Sequence, residues 1–186
     1  MSLTIAKVGG SLFDLPDLAQ RLSGWVDKQH GQIVLVPGGG SLVAAIRRMD
    51  HLHGFGDECA HWLALRAMTL NAHMLVKLIS PSALIHQRAE CKGTKVNILD
   101  AFAFCTVHDL LPHSWDVTSD SIAAQVALTF EADALVLLKS ASPPGPVATW
   151  SANGYCDPWF SQMVEPVKLS VAAVNLRKMN EESESP

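Results

Sequence analysis

Two apolar runs near the start of the chain each end in a cluster of glycines, and no other feature restricts the fold as much. The first run, Leu3-Thr4-Ile5-Ala6-Lys7-Val8, is β-prone and stops at Gly9-Gly10-Ser11. The second, Gln32-Ile33-Val34-Leu35-Val36, stops at Pro37-Gly38-Gly39-Gly40-Ser41. Between them, residues 14–29 carry Leu15, Leu18, Leu22, Trp25 and Val26 at helical spacing, with Asp14 as the expected cap and Pro16 in the first turn. A helix over 42–49 follows the second cluster. Strand, glycine turn and helix in repetition predict an α/β fold with a parallel sheet covered by helices. Both turns then fall at the carboxyl ends of neighbouring strands, where open α/β sheets bind ligands.

Farther along, residues 57–79 predict one long helix without internal Gly or Pro. Leu63, Leu65, Met68, Leu70, Met74, Leu75 and Leu78 make it apolar over a broad face, so burial on two sides and a dimer contact are expected. A strand at 83–86 and a polar loop at 90–95 come next, and 96–104 is ambiguous between strand and helix. A polar loop at 110–120 leads to a helix at 121–130, a buried strand at 134–139 and a turn at 142–146. Pro158 opens a short helix, 171–174 reads as a final strand, and 180–186 as a frayed acidic tail.

Composition narrows the function classes. The chain has 186 residues, 48% of them hydrophobic and 17% charged, which suits one domain with a sizeable core and argues against disorder. A formal net charge of −4 without a basic run argues against general nucleic-acid binding. No apolar stretch reaches the roughly 20 residues of a membrane span. Lys7 and the glycine pair break the first apolar run, so no signal peptide is expected. Cys59, Cys91, Cys105 and Cys156 form no CxxC pair, which points to free thiols and a reducing cytoplasm. The histidines lack ligand-like spacing, and the expectation is no protein-held metal.

Glycines after a buried strand let a ligand approach the backbone, and the amides at the following helix start attract anions. Lys7 adds a full positive charge at the first turn. Such a set suits negative charge developing on a phosphoryl group in transfer. A tight strand-to-helix turn with a nearby lysine is the plain alternative. The GxxxxGK[ST] order is absent, so this is not a Walker A loop. The triple glycine reads as a cradle for a substrate anion or as a flexible connection. In Asp116-Val117-Thr118-Ser119-Asp120-Ser121, one residue is a candidate helix cap, and the acids and hydroxyls are candidates for organising lysines and a magnesium-bound nucleotide. Asp120 is the candidate acid, holding Lys7 and Lys139. His61 is either a packed residue of the long helix or a donor to a substrate phosphate.

The Lys-x-Gly-Gly-Ser start, the Pro-Gly-Gly-Gly turn and the Ser-Asp-Ser-Ile-Ala-Ala helix entry together resemble the amino acid kinase family. Ala60-His61-Trp62, the segment Trp115 to Ala124 and Leu137-Leu138-Lys139-Ser140 are similar to a small-kinase branch of it. The resemblance runs from Lys7 to about Phe160. It implies a three-layer α/β/α sandwich with a mainly parallel sheet and a short C-terminal half. It also implies an acceptor-binding lobe at 1–110 and a nucleotide-binding lobe at 111–179, within one compact domain. The implied cofactors are ATP and Mg2+. The implied acceptor is a small phosphorylated compound, an aminomethyl-furanmethanol phosphate of methanofuran biosynthesis, converted to a diphosphate. An amino acid or nucleoside monophosphate acceptor, and a non-catalytic nucleotide-binding protein, stay open. Carried over by motif, Lys7, Asp120 and Lys139 would be catalytic, with Lys168 the other candidate second lysine. Gly9, Gly10, Ser11, Thr118 and Ser119 would bind nucleotide phosphates. Gly38, Gly39, Gly40 and His61 would bind the acceptor, with Lys92 and Lys95 as further anion-binding candidates. Tyr155, Trp159 and Phe160 would pack near adenine or at the rim.

Overall fold

Six short apolar segments form one all-parallel sheet in the order β3-β4-β2-β1-β5-β6. They are β1 (Leu3–Val8), β2 (Gln32–Pro37), β3 (Ser82–Ile85), β4 (Val96–Leu99), β5 (Ala134–Lys139) and β6 (Ser170–Asn175). The helices are α1 (Leu18–Asp27), α2 (Gly40–His53), α3 (Asp57–Leu78), α4 (Ala101–Val107), α5 (Ser119–Thr129) and α6 (Pro158–Val164). This is a computed structural model that describes residues 2–91, 93–167 and 169–179. Lys92, Lys168 and the acidic tail at 180–186 lie outside the described residues.

The central strands are buried on both faces, which is why their sequences are continuous apolar runs rather than alternating ones. Alternation still decides which core each side chain enters. Leu3, Ile5, Val34, Val36, Leu135 and Leu137 join the core that contains Ile122, Ala123 and Val126 of α5 and Phe160 of α6. Ala6, Val8, Ile33, Leu35 and Leu138 join the opposite core with Leu18, Leu22 and Trp25 of α1. The result is the expected α/β/α sandwich. Among the described residues after β5, only α6 and β6 are regular elements longer than one turn, a short C-terminal half. The long helix α3 serves both cores, with Leu65 and Met68 in one and Ala72 and Leu75 in the other. It leaves Leu70, Met74 and Leu78 exposed.

Several boundaries differ from the sequence expectation for local reasons. The first helix begins at Leu18, not near Asp14, because successive turns occupy the chain from Gly10 to Leu15. Asp17 takes the N-cap position but makes no capping bond, and its carboxylate accepts from Arg21 Nε at 2.8 Å instead. Helix α2 runs on to His53, where Gly54 at φ 64° supplies the left-handed terminus that favours glycine. The ambiguous stretch 96–104 is both things in turn. Asp100 divides it, accepting from Ala103 N at 3.0 Å to cap α4.

Candidate functional site

Strand parity brings two lysines to one place. Lys7 shares a face of β1 with Leu3 and Ile5, and Lys139 shares a face of β5 with Leu135 and Leu137. The strands are neighbours, with Lys7 opposite Leu137, so both lysines sit at the carboxyl end of the sheet on the side covered by α5. The first turn of α5 holds Asp120 against them. Its Oδ1 is 2.9 Å from Lys7 Nζ and its Oδ2 is 2.8 Å from Lys139 Nζ. The side chains of Lys7 and Asp120 are each 6% exposed, and that of Lys139 is 16% exposed. Burial by itself would raise the Asp120 pKa, but the charges of Lys7 and Lys139 prevail and hold it below the usual carboxylate range. Two ammonium groups on one carboxylate leave a buried excess of positive charge, which calls for an anion.

A cavity of about 770 Å³ opens beside this group. Lys7, Gly10, Ser11, Gly39, Gly40 and Ser119 form its polar end. Val43, Leu65, Met68 and Ile122 give it an apolar wall, and Arg47 and Arg48 of α2 add two cations. Arg47 lies over the Trp115 ring at 4.5 Å, and Trp115 Nε1 donates to Asp50 at 2.8 Å, so this guanidinium is held in place.

The glycines divide by function. A Cβ on Gly10 would come within 2.2 Å of Gly40 N, and one on Gly38 within 2.5 Å of Gly10 N. The two turns therefore pack backbone to backbone, and glycine is needed there whatever ligand binds. Gly40 also has φ 56°. The Gly9 amide donates to Leu138 O at 2.8 Å and the Gly38 amide to Val8 O at 2.7 Å, so neither is free for a phosphate. Gly10, Gly39 and Gly40 line the cavity and Gly9 and Gly38 do not. The first-turn amides of α2, which have no partner within the helix, begin at the same place.

Thr118 is the N-cap of α5, accepting from Asp120 N at 3.3 Å, and its hydroxyl donates to Asp157 at 2.6 Å. That engagement commits its proton to a partner within the fold, although Thr118 and Ser119 both line the cavity. Two positioning residues escaped the sequence reading. Asp157 caps α6 through Trp159 N and Phe160 N, and it also accepts from Thr118 N at 3.1 Å and Ser121 N at 3.2 Å. It thereby pins the starts of α5 and α6 together. The Asp157-Pro158 pair is a legible helix-start signal. Asn71 of α3 is buried and donates to Gly38 O at 2.6 Å and Gly39 O at 3.0 Å, fixing the triple-glycine turn. No local pattern marks it. Lys139 also donates to Tyr155 O and lies 4.3 Å from the centre of the Tyr155 ring. Burial first, then Cys156 and Asp120, raise the Tyr155 hydroxyl to about 12. Phe160 is buried in the core and does not line the cavity, and Lys95 is spent on Val26 O at 2.8 Å.

His61 lines the cavity, half-buried, and its ring stacks on His113 with centroids 4.0 Å apart. Burial, then the nearby His113, keeps its pKa below the ordinary value. His61, Asp109 and His113 form a cluster that sequence spacing does not show. All four cysteines are free. Among the described residues, no helix is long and apolar enough to cross a membrane.

Comparison with known proteins agrees with this architecture. The [5-(aminomethyl)furan-3-yl]methyl phosphate kinase of Methanocaldococcus jannaschii is 29% identical over 126 residues, covering 66% of this chain and 58% of that protein. The match thus spans little more than half of that relative's length. The crystal structure of uridylate kinase from Archaeoglobus fulgidus superposes with a TM-score of 0.69 at 16% identity, covering 94% of this chain and 90% of the other. UMP kinase from Bacillus anthracis superposes with a TM-score of 0.65 at 14% identity, covering 97% and 89%. Likeness at that identity establishes the fold alone. Residues 2–142 match the sequence profile of the Amino acid kinase family, and the chain belongs to that family.

Proposed function

We propose that the protein is an ATP-dependent phosphotransferase that extends a small phosphorylated acceptor to a diphosphate. The observation that carries this reading is the buried cation excess of Lys7 and Lys139 on Asp120, set beside two glycine turns at the sheet end. In transfer, an acceptor phosphate oxygen attacks the γ-phosphorus of ATP, the new P–O bond forms, and the bond to the β–γ bridging oxygen breaks to release ADP. Lys7 and Lys139 stabilise the oxygens of the phosphoryl group in flight, and Asp120 aligns both lysines. Gly10, Ser11 and Ser119 hold nucleotide phosphates on the 111–179 side. Gly39, Gly40 and Arg47 hold the acceptor on the 1–110 side.

The site favours an acceptor that needs no general base. Both Asp120 oxygens rest on ammonium groups and its pKa is lowered, so it is a poor proton acceptor. A phosphate monoester is already ionised and needs none. Arg47 and Arg48 suit its charge, and the wall of Leu65, Met68 and Ile122 suits an apolar ring. Together with the Methanocaldococcus relative, this favours an aminomethyl-furanmethanol phosphate acceptor in methanofuran biosynthesis. The residues fit nucleotide phosphates, but Asp120 does not fit as a ligand of Mg2+, because its oxygens are taken. Magnesium would be carried by the nucleotide's own phosphates. We further propose a cytoplasmic homodimer formed through the exposed Leu70, Met74 and Leu78 of α3. Sedimentation at micromolar concentration checks the dimer.

The test is incubation with Mg-ATP and aminomethyl-furanmethanol phosphate, following ADP release and the diphosphate product by phosphorus NMR. Turnover is expected with this acceptor and much less with uridine monophosphate. No turnover with any phosphate monoester, alongside intact ATP binding, overturns the reading.

A further inference from the structure

We infer a second cation site, for a Zn2+-class divalent ion, formed by His61, Asp109 and His113 and oriented by Glu58. His61 comes from α3, whereas Asp109 and His113 come from the segment joining α4 to α5. One ligand atom from each of the three lies within 4.8 Å of the others. His113 Nε2 is 2.9 Å from Asp109 Oδ1. The other ring nitrogen, Nδ1, is hydrogen-bonded to Glu58 Oε2, and Trp62 Nε1 donates to Glu58 Oε1 at 2.7 Å. A carboxylate on the far nitrogen of an imidazole is the arrangement that fixes the tautomer and orientation of metal-ligating histidines.

Without a cation the cluster does not balance. A doubly protonated His113 between Asp109 and Glu58 would satisfy its own two nitrogens. It would leave His61 Nε2, which is buried and has no hydrogen-bond partner. Ligation through Nε2 would give that nitrogen a partner, and a cation shared by the three side chains turns the Asp109–His113 contact into common ligation. The two rings now stack at 15°, so ligation requires them to rotate until their lone pairs converge. Two imidazoles and one carboxylate suit Zn2+ and its neighbours, whereas Mg2+ prefers an all-oxygen shell. The site is therefore distinct in chemistry from any magnesium arriving with a nucleotide. Three protein ligands leave a position open, and His61 places it at the cavity wall. His61 then acts as a metal ligand rather than as a direct donor to the acceptor. The ion would tie α3 to the segment that carries Trp115 and Thr118 into the cavity. The inference does not depend on the phosphotransferase reading.

The full chain is stripped with a chelator and titrated with ZnCl2 by calorimetry in the presence of millimolar MgCl2. CoCl2 serves as the spectroscopic probe. The expected result is about one Zn2+ bound per chain without competition from Mg2+, and intense Co2+ visible bands with no thiolate charge-transfer band. His61→Ala and His113→Ala lose both signals. Glu58→Gln weakens binding roughly 10–100-fold, and His86→Ala, which breaks a separate pair with Glu90, leaves it unchanged. Should the alanine variants fail to fold, shifts of two histidine ring signals on adding Zn2+ to the unmutated protein decide the matter. Absent or merely millimolar Zn2+ binding, a thiolate band, or equal affinity in a folded His113→Ala variant overturns the inference.

Discussion

The Lys7–Asp120–Lys139 group and the His61–Asp109–His113 group each gather three titratable side chains near one cavity, and they are built in opposite ways. The first stands on two neighbouring strands and a helix start, is almost fully buried, and sets two lysines directly on one carboxylate. The second joins a helix to an irregular segment, is partly exposed, and leaves one buried nitrogen without a partner. Regular elements place the first group before any ligand arrives, as the proposed charge stabilisation in a transition state demands. The second has the looser form of a site completed by what it binds.

The sharpest way to break this contrast is Lys7→Ala. If the lysine acts on the transferred group, kcat falls on the order of 10²–10³-fold with little change in nucleotide KM. An equal loss spread over KM would make it a mere binding residue. Asp120→Asn comes next. Removing one partner of a buried ion group costs about 3–5 kcal/mol, read as a lower midpoint in urea unfolding. The sign of its pH dependence follows from the lowered pKa. The stabilisation is present above the unfolded value of about 3.9 and is lost as pH falls through the lower folded value. The gap between the wild type and Asp120→Asn should therefore close only in acid, below about pH 4. Gly10→Ala should cost about 1–3 kcal/mol through overpacking of the two turns. An alanine tolerated there would mean that the turns can separate. At the small end, Arg88→Ala removes an exposed pair with Glu131 and should change stability by less than about 1 kcal/mol.

The same contrast explains what could be read from the residues. Lys7 and Lys139 were legible because one is next to last and the other last in a β-prone run, and period-two alternation with neighbouring parallel strands leaves little freedom in where such side chains go. Asp120 was legible because it opens a helix beside them. Gly9 and Gly38 looked equivalent to their neighbours, since composition cannot tell which amides the sheet end consumes and which remain free. Asp157 carries no sequence signal beyond the Pro158 that follows it, although its carboxylate caps one helix and anchors the next. Asn71 sits in the middle of an apolar helix, where nothing local signals that it holds a distant turn. The histidine cluster was invisible for the same reason. His61 and His113 meet only because α3 packs against the segment after α4, a tertiary event with no period in the sequence.

The most direct measurement of the central claim is a crystal structure with Mg-ADP and aluminium fluoride, which imitates a phosphoryl group in transfer. The account predicts the fluoride group within hydrogen-bond reach of both Lys7 and Lys139, with Asp120 still bridging them. A fluoride group lodged elsewhere in the cavity, with the two lysines still closed on Asp120 alone, would contradict it.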